Sequence, residues 1–238
     1  YEEAEEIFRS LIAKDPDALL PYVNLGEVYR ESDRANDAIA VLEQALLRIP
    51  NSYQVYNNLS AVFSEQGWWA SAYLMNGKGL ALKGTDPKSQ LNHGTLALAL
   101  GRFAEGWAAY ERRFDVPAEF MPRRAPPPPH WRGEDLAGKS ILIWTEQGIG
   151  DEILYASMIP DMVERGAKCV IACSERLAPI FARSFKDCAV IGYKKTAHEV
   201  ALTKESAFDF QSSIVSLGTY LRPNFQSFPQ RPGYLHAD

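Results

Sequence analysis

The residues best equipped for chemistry lie in one short segment, from Glu146 to Asp151. The segment follows an apolar, β-rich run from Ser140 to Trp144 and precedes a stretch of helical character. In open α/β sheets, ligands bind beyond the carboxyl ends of the strands, where loops meet helix N-termini. The segment therefore predicts a ligand site, in which Gly148 and Gly150 allow a close approach to the backbone.

Asp151 is the candidate catalytic residue of this segment. Near the start of a helix, an aspartate commonly acts as a cap that accepts bonds from backbone N–H groups. If its carboxylate faces the cleft instead, it is placed to orient or deprotonate a hydroxyl group. Glu146 and Gln147 also carry two alternatives, because residues at the end of a strand either contact a ligand or are simply exposed.

Nucleotide and metal signatures are incomplete. The dinucleotide fingerprint needs a further glycine three positions after Gly150, where Ile153 stands, and the triplet Gly138-Lys139-Ser140 precedes the strand that a P-loop should follow. The four histidines lack metal-ligand spacing. The three cysteines are interpreted as buried apolar residues or as one disulfide with one thiol left over. We therefore expect neither a metal nor a cofactor in this chain.

The elements around the segment alternate between strand and helix. Strands are predicted at 140–144, 168–173, 189–193 and 208–214, and helices at 151–165, 176–185 and 215–221. This alternation is typical of a parallel α/β sheet and predicts a Rossmann-like domain over residues 140–238. Trp144 is expected in its core.

The first half of the chain repeats itself in steps of 34 residues. Small residues recur at two phases, one being Gly26, Ser60 and Gly94 and the other Ala4, Ala38, Ala72 and Gly106. Small residues let paired helices approach closely, while aromatic residues fill the space between hairpins. The pattern resembles the tetratricopeptide repeat, a helix-turn-helix unit, over roughly residues 1–116.

This resemblance implies a solenoid that binds a protein or peptide in its groove. The candidate groove residues are Tyr22, Asn24, Asn57 and Asn58, although the asparagines are equally suited to a solvated surface. Trp68 and Trp69 are adjacent at a helical turn, so one is expected to pack and the other to mark a contact surface. Another copy of the chain is among the partners that such a surface predicts.

The organisation changes at Pro126–Pro129, because four consecutive prolines form a stiff spacer rather than helix or sheet. We predict an α plus α/β architecture with tetratricopeptide repeats over 1–116, the first one partial. A proline-rich linker and junction follows over 117–139, and the α/β domain covers 140–238. Because the chain opens with Tyr1 in mid-hairpin, we expect it to be part of a longer protein.

The α/β half resembles the first strand, loop and helix of heptosyltransferase-like glycosyltransferases of the GT-B type. The resemblance rests on Gly150-Asp151, followed by Ile153-Leu154-Tyr155 and Ile159-Pro160. The stretch 129–139 also resembles the junction in bacterial proteins that join tetratricopeptide repeats to such a transferase-like half. The family's aspartate is the proposed base for the acceptor hydroxyl, and the resemblance carries that role onto Asp151.

The resemblance implies an inverting glycosyltransferase whose repeats dock a protein acceptor and whose full-length parent uses a nucleotide-sugar donor. GT-B enzymes hold the nucleotide mainly in a second domain, which has no counterpart before Asp238, so this chain alone is expected to be inactive. The alternative is a non-catalytic scaffold that mediates protein–protein interaction and whose α/β half is degenerate.

Composition narrows the class of protein and its partners. The 238 residues are 46% hydrophobic and 23% charged, which is typical of a soluble globular protein. A net charge of -5 without a long basic stripe argues against nucleic-acid binding. No apolar run reaches about 18 residues and no leader is visible, so we expect a cytoplasmic protein without a membrane span.

Overall fold

The computed structural model describes residues 1–116, 128–146, 148–194 and 208–237. The chain divides into two compact units, Tyr1–Val116 and Pro117–Asp238. The first unit is helical, and the second contains a parallel sheet. The helical array and the strand-helix alternation predicted from the sequence are therefore confirmed. The predicted linker falls partly outside the described residues, at Pro126 and Pro127 among others.

The first unit is built from helical hairpins. Its helices are α1 (Glu2–Lys14), α2 (Leu19–Glu31), α3 (Ala35–Arg48), α4 (Tyr53–Glu65), α5 (Trp69–Leu82), α6 (Pro87–Ala99) and α7 (Phe103–Tyr110), followed by a 3₁₀ turn, Glu111–Asp115. Helix α2 packs on α3, α4 on α5, and α6 on α7. The turn of each hairpin holds one residue at positive φ, which is Asp33, Gly67 or Gly101. This left-handed conformation reverses the chain within a few residues and favours glycine.

Small residues lie where the paired helices touch. Ala38 and Ala72 are 0% exposed. A Cβ added to Gly94 would lie 2.6 Å from the backbone nitrogen of Tyr110, so α6 and α7 meet backbone to backbone. The small-residue phase seen in the sequence therefore marks the contact line within each hairpin.

The second unit contains a parallel sheet with the strand order β3-β2-β1-β4 in its described residues. The strands are β1 (Ser140–Trp144), β2 (Lys168–Ser174), β3 (Ala189–Tyr193) and β4 (Phe210–Ser213). They confirm the predicted strands, with β4 shorter than expected. The finer Rossmann-like assignment stays a prediction.

The helices of this unit are α8 (Ile149–Ala156), α9 (Ile159–Glu164), α10 (Ala178–Ser184) and α11 (Leu217–Leu221). The sequence predicted one helix over 151–165, whereas α8 and α9 are separate. Pro160 lies in the first turn of α9, where its fixed φ and missing N–H suit a helix start but not a helix interior. One apolar stretch therefore encodes two short helices.

Strand β1 lies at the centre of the core. Ile141, Leu142 and Ile143 are fully buried, as expected of a strand covered on both faces. Trp144 is buried as predicted, and its indole N–H donates to Oε1 of Gln211 in β4 at 2.6 Å. Because β2 and β4 flank β1 on opposite sides, the order of the strands reverses at β1. Such a switch point opens a crevice at the carboxyl ends of the strands.

The close approach at Gly94 gives a test of the contact line. We expect Gly94→Ala to lower the free energy of unfolding by about 1 to 3 kcal/mol, because its methyl group meets backbone atoms that cannot move independently. The control is Gly77→Ala in α5, where the nearest neighbour of an added Cβ is 3.9 Å away. Gly77→Ala should leave the free energy of unfolding unchanged or raise it by up to about 1 kcal/mol, because alanine favours a helix over glycine. Urea denaturation followed by helical circular dichroism measures both, and equal effects would contradict the packing described here.

Candidate functional site

The carboxyl edge of the sheet carries a set of buried polar side chains. The hydroxyl of Ser213, at the end of β4, donates to Oε1 of Glu146, which directly follows β1 and Thr145. On the other side of β1, the Thr145 and Tyr193 hydroxyls lie 2.8 Å apart. Thr145 and Ser213 are almost completely buried. Glu146 therefore ties β1 to β4 at the switch point rather than standing exposed in solvent.

Asp151 lies in the first turn of α8, close to that edge. Its Oδ2 accepts a hydrogen bond from the backbone N–H of Gly148 at 3.1 Å. Gly148 is the residue before the helix, so Asp151 caps the helix by reaching back from within it. This geometry corresponds to the structural alternative for Asp151. The described hydrogen bond uses Oδ2 alone, and the side chain is half-buried.

The two glycines of the segment have ordinary backbone conformations. Neither Gly148 nor Gly150 is among the positive-φ residues of the described chain. A Cβ added to Gly150 would meet nothing within 4 Å, so the space beside it is open. A Cβ on Gly148 would lie 3.3 Å from Oδ2 of Asp151, which makes glycine favourable for the cap. Gln147 lies outside the described residues.

Glu152 is a buried carboxylate that the sequence analysis missed. It is 1% exposed, and its Oε2 accepts the backbone N–H of Ser174, at the end of β2, at 2.9 Å. Burial raises the pKa of the nearby Cys173 thiol to about 12, and the Glu152 charge acts in the same direction. Its burial could have been predicted from helical phase, because Glu152 lies four positions before Ala156 and shares the buried side of α8 with it. Glu152 joins α8 to the sheet behind Asp151.

The predicted groove residues of the first unit separate into two groups. Tyr22 is 0% exposed, and its hydroxyl donates to the carbonyl of Pro16 at 3.1 Å, so this residue belongs to the core and its assignment to the groove was wrong. Asn57 is half-buried and donates to Oγ of Ser89 at 2.8 Å, which joins α4 to α6. Asn24 is exposed, and Asn58 is half-buried. These last two lie on a surface shared by the first helices of the hairpins.

We call this surface, which includes Asn24, Asn58 and Glu65, the α2–α4–α6 face. Side-chain contacts join α2 to α4 across it. Asn58 donates to the backbone carbonyl of Val23 at 3.4 Å, and Arg30 pairs with Glu65 across α2 and α4. A hydrogen bond from Arg30 and the charge of Lys88 in α6 lower the pKa of Glu27. Glu27 on this face therefore remains ionised at neutral pH.

A third asparagine, which the sequence analysis missed, completes a series on this face. Asn24, Asn58 and Asn92 are successive steps of 34 residues, and they lie on α2, α4 and α6. Asn92 is exposed like Asn24. The signal was available, because the same register that revealed the small residues also aligns these amides. Asn57, which the sequence analysis grouped with Asn58, is one position out of this register.

A polar cluster replaces apolar core residues in the last hairpins. Asn76 and His93 occupy the phases of Leu42 and Leu25, and Oδ1 of Asn76 lies 2.9 Å from Nδ1 of His93. The other ring nitrogen, Nε2, lies 3.1 Å from Oε1 of Glu105. A hydrogen bond from the Tyr73 hydroxyl is the main cause that lowers the pKa of Glu105. The cluster joins α5, α6 and α7 by directional bonds where the other repeats use apolar contact.

Two other surface features lie outside these sites. A cavity of about 370 Å³ between α1, α2 and α3 is lined by Ile12, Leu25, Tyr29 and Val41 among others. Trp68 and Trp69 are 49% and 43% exposed, and the ring of Trp68 packs 5.7 Å from that of Phe63, as expected of one member of the pair. Among the described residues, no helix is long and apolar enough to cross a membrane, and no group of His, Cys, Asp and Glu side chains is arranged to hold a metal ion.

Comparison with known proteins relates the chain to helical repeats. Residues 1–62 match the family described as tetratricopeptide repeat. Over 249 residues, the chain is 31% identical to Protein FlbA of Caulobacter vibrioides (strain ATCC 19089 / CIP 103742 / CB 15), and the alignment covers 99% of this chain and 42% of FlbA. The chain thus spans less than half the length of this relative. The first unit is therefore similar to tetratricopeptide repeats over residues 1–62.

Solved structures similar to the chain match about half of it. A crystal structure of MamA is 19% identical with a TM-score of 0.44, covering 49% of this chain and 68% of MamA. YrrB, described as a TPR protein with an unusual peptide-binding site, is 18% identical with a TM-score of 0.45 over 47% of this chain and 58% of YrrB. TTC0263, a thermophilic TPR protein of Thermus thermophilus, is 24% identical with a TM-score of 0.42 over 47% and 62%.

The acidic side chains of the first unit predict a loss of stability at low pH. The pKa values of Glu5, Glu27 and Glu105 are lower than the ordinary 4.5. A carboxylate whose pKa is lower in the folded than in the unfolded state contributes stability that is complete above the unfolded pKa and is lost as the pH falls through the folded pKa. We therefore expect the free energy of unfolding to fall as the pH drops below about 4.5.

Tyr73→Phe isolates the part of this effect that depends on Glu105. Because it removes the hydrogen bond that mainly lowers the pKa of Glu105, it should reduce the difference between the unfolding free energies at neutral and acid pH. Tyr53→Phe is the matched control, since the Tyr53 hydroxyl accepts from Lys83 instead. Urea titrations at several pH values measure the difference. The same pH dependence in both variants would exclude a role for the Tyr73–Glu105 bond.

Proposed function

We propose that this chain is a protein-binding module whose first unit holds an extended segment of another protein along the α2–α4–α6 face. The observation that carries the proposal is the series Asn24, Asn58 and Asn92, which repeats the same polar group on three successive hairpins. The side chains of Asn24 and Asn92 are exposed to solvent. They are therefore accessible to a ligand.

An asparagine amide suits recognition of a polypeptide backbone. It offers both donors and an acceptor, so one side chain can bond a peptide N–H and a peptide C=O. Packed helices lie about 8 to 10 Å apart, and an extended chain advances about 3.3 Å per residue. A ladder of amides at this spacing would engage roughly every third residue of an extended segment. Such contacts are independent of the ligand's side chains.

Charge on the unit favours a polar or basic segment. Residues 1–116 hold 16 acidic and 11 basic side chains, and this excess is the whole net charge of the chain. Glu27 and Glu65 lie on the same face as the amides and share Arg30 between them. Glu31 is also exposed at the end of α2. Basic side chains of a ligand would find these carboxylates beside the amides, with an attraction that weakens as salt rises.

A second candidate function, sugar transfer by a longer protein that contains this chain, has one specific support. Asp151 lies at the carboxyl edge of the sheet, and its bond to Gly148 is made through Oδ2, which leaves Oδ1 outside the cap. In this second proposal, a nucleotide sugar is the donor, and Asp151 takes the proton of the acceptor hydroxyl. The repeats would then present a protein acceptor. If Asp151 serves only as a cap, the α/β unit is a non-catalytic partner of the repeats.

The asparagine ladder is tested with a library of random 15-residue peptides displayed on phage. We expect extended, polar or basic sequences to be enriched on the unaltered chain, and synthetic copies of them to bind at least tenfold more weakly to the triple variant of Asn24, Asn58 and Asn92 to Ala. Asn36→Ala is the matched control, because Asn36 is an exposed asparagine of α3. Fluorescence anisotropy of labelled peptides gives the dissociation constants. Equal affinity for the triple variant and the control would contradict the proposal.

The sugar-transfer proposal is tested separately on the full-length protein. Asp151→Asn keeps an oxygen for the cap but removes the base, whereas Asp151→Ala removes both. We expect turnover of a panel of nucleotide sugars, followed by release of the nucleotide, to fall by about 100-fold in the Asn variant while its melting temperature stays unchanged. Only the Ala variant should also lose stability, by about 1 kcal/mol. Unchanged turnover in the Asn variant, or no turnover by the unaltered protein, would leave Asp151 as a cap alone.

A further inference from the structure

We propose that Cys169 of β2 and Cys188, the residue before β3, form a reversible disulfide when the protein meets hydrogen peroxide. All three cysteines of the described chain are free thiols in the structure. The proposal concerns the second unit and is independent of peptide binding by the repeats. It rests on the register of two neighbouring strands.

The register places these two cysteines side by side. Val170 of β2 pairs with Ala189 of β3 at the first step of a parallel ladder, and Cys169 and Cys188 are the residues that directly precede this pair. Neighbouring strands lie about 4.8 Å apart, and equivalent positions of a parallel pair point to the same face. A disulfide needs Cα atoms about 4.4 to 6.8 Å apart. The strand spacing at the adjoining Val170–Ala189 pair falls within this range.

Burial and protonation give the two thiols different roles. Cys169 is 3% exposed, whereas Cys188 is half-buried beside the edge strand. A hydrogen bond from Cys169 lowers the pKa of Cys188, and the same interaction raises that of Cys169. The more accessible Cys188 is thus the nucleophile, because the thiolate is the reactive form. Cys169 is the second thiol, which attacks Cys188 after its oxidation.

The third cysteine lacks these features. Cys173 lies in the same ladder opposite Gly192, so the register gives it no cysteine partner. It is fully buried, and its pKa is raised to about 12 by burial and by Glu152. It therefore stays a thiol under conditions that oxidise Cys188. This contrast makes Cys173 an internal control.

The reaction balances with the peroxide as the only oxidant. The Cys188 thiolate attacks one peroxide oxygen, the O–O bond breaks, and Cys188 becomes a sulfenic acid while hydroxide leaves and takes a proton to form water. The sulfur of Cys169 then attacks the sulfur of Cys188. The S–S bond forms, the S–O bond breaks, and the leaving oxygen takes the Cys169 proton as a second water. A small-molecule dithiol reverses the reaction by thiol–disulfide exchange.

The disulfide would hold the edge strand of the described sheet in place. Strand β3 is the edge strand of the described sheet, and it carries Tyr193 to the carboxyl edge, where its hydroxyl donates to the carbonyl of Thr145 at 2.6 Å. The disulfide would close the loop that contains α10 and hold the start of β3 against β2. Oxidation would thereby stabilise the second unit by restricting its unfolded chain.

The experiment treats the purified full chain with hydrogen peroxide and counts thiols after denaturation. We expect the count to fall from three to one, dithiothreitol to restore it, and non-reducing peptide mapping to recover the Cys169–Cys188 peptide pair from monomeric protein. The melting temperature of the oxidised chain should rise. A pair that includes Cys173, a cross-link between chains, or sulfinic acid without a cross-link would overturn the proposal.

Matched variants keep the test independent of folding defects. Cys188→Ser and Cys169→Ser should each abolish the loss of two thiols, while Cys173→Ser should still form the bond and fall from two thiols to none. Circular dichroism before oxidation shows that each variant is folded. Bond formation in Cys188→Ser, or its loss in a folded Cys173→Ser, would also contradict the assignment.

Discussion

The close approach of paired helices in the first unit is the constraint on which the binding surface depends. Where Gly94 faces α7, no larger side chain fits, and Ala38 and Ala72 are buried at the equivalent contacts of the earlier hairpins. Because the contact recurs every 34 residues, each hairpin is oriented like the one before it. The orientation in turn places Asn24, Asn58 and Asn92 on one surface. The proposed ladder is thus a consequence of backbone packing.

In the second unit, the parallel pairing of the strands decides which side chains lie side by side. The register that aligns β1 with β2 and β4 brings Glu146, Ser213 and Thr145 together at the carboxyl edge. The parallel pairing of β2 with β3 begins at Val170 and Ala189, directly after Cys169 and Cys188. Buried carboxylates reinforce the arrangement, because Glu152 binds the backbone at the end of β2. Side chains far apart in the sequence become neighbours through main-chain hydrogen bonds alone.

Periodic features were predictable from the sequence, because their signal is summed over many residues. The helical register, the four strands and the buried Trp144 are of this kind. Individual side chains were less predictable. Tyr22 and Asn24 are two positions apart on α2, so they point to opposite sides of the helix, and the prediction that grouped them in one groove did not apply this phase.

The candidate site at the sheet edge shows the same limit. The segment around Asp151 lies at the edge of the sheet as expected, and residue type suggested a cap for Asp151, but neither Gly148 as its partner nor the buried contact of Glu152 follows from residue type. Both depend on where α8 begins and on how it meets β2. The split of one predicted helix into α8 and α9 has a local cause instead, because Pro160 suits a helix start but not a helix interior.

The most direct test of the central claim is a crystal structure of the chain with a peptide selected for binding. The proposal predicts an extended peptide on the α2–α4–α6 face, with amide atoms of Asn24, Asn58 and Asn92 within about 3.2 Å of its backbone N–H and C=O groups. A peptide bound elsewhere on the unit, or held on this face through side chains with the three amides unused, would contradict it.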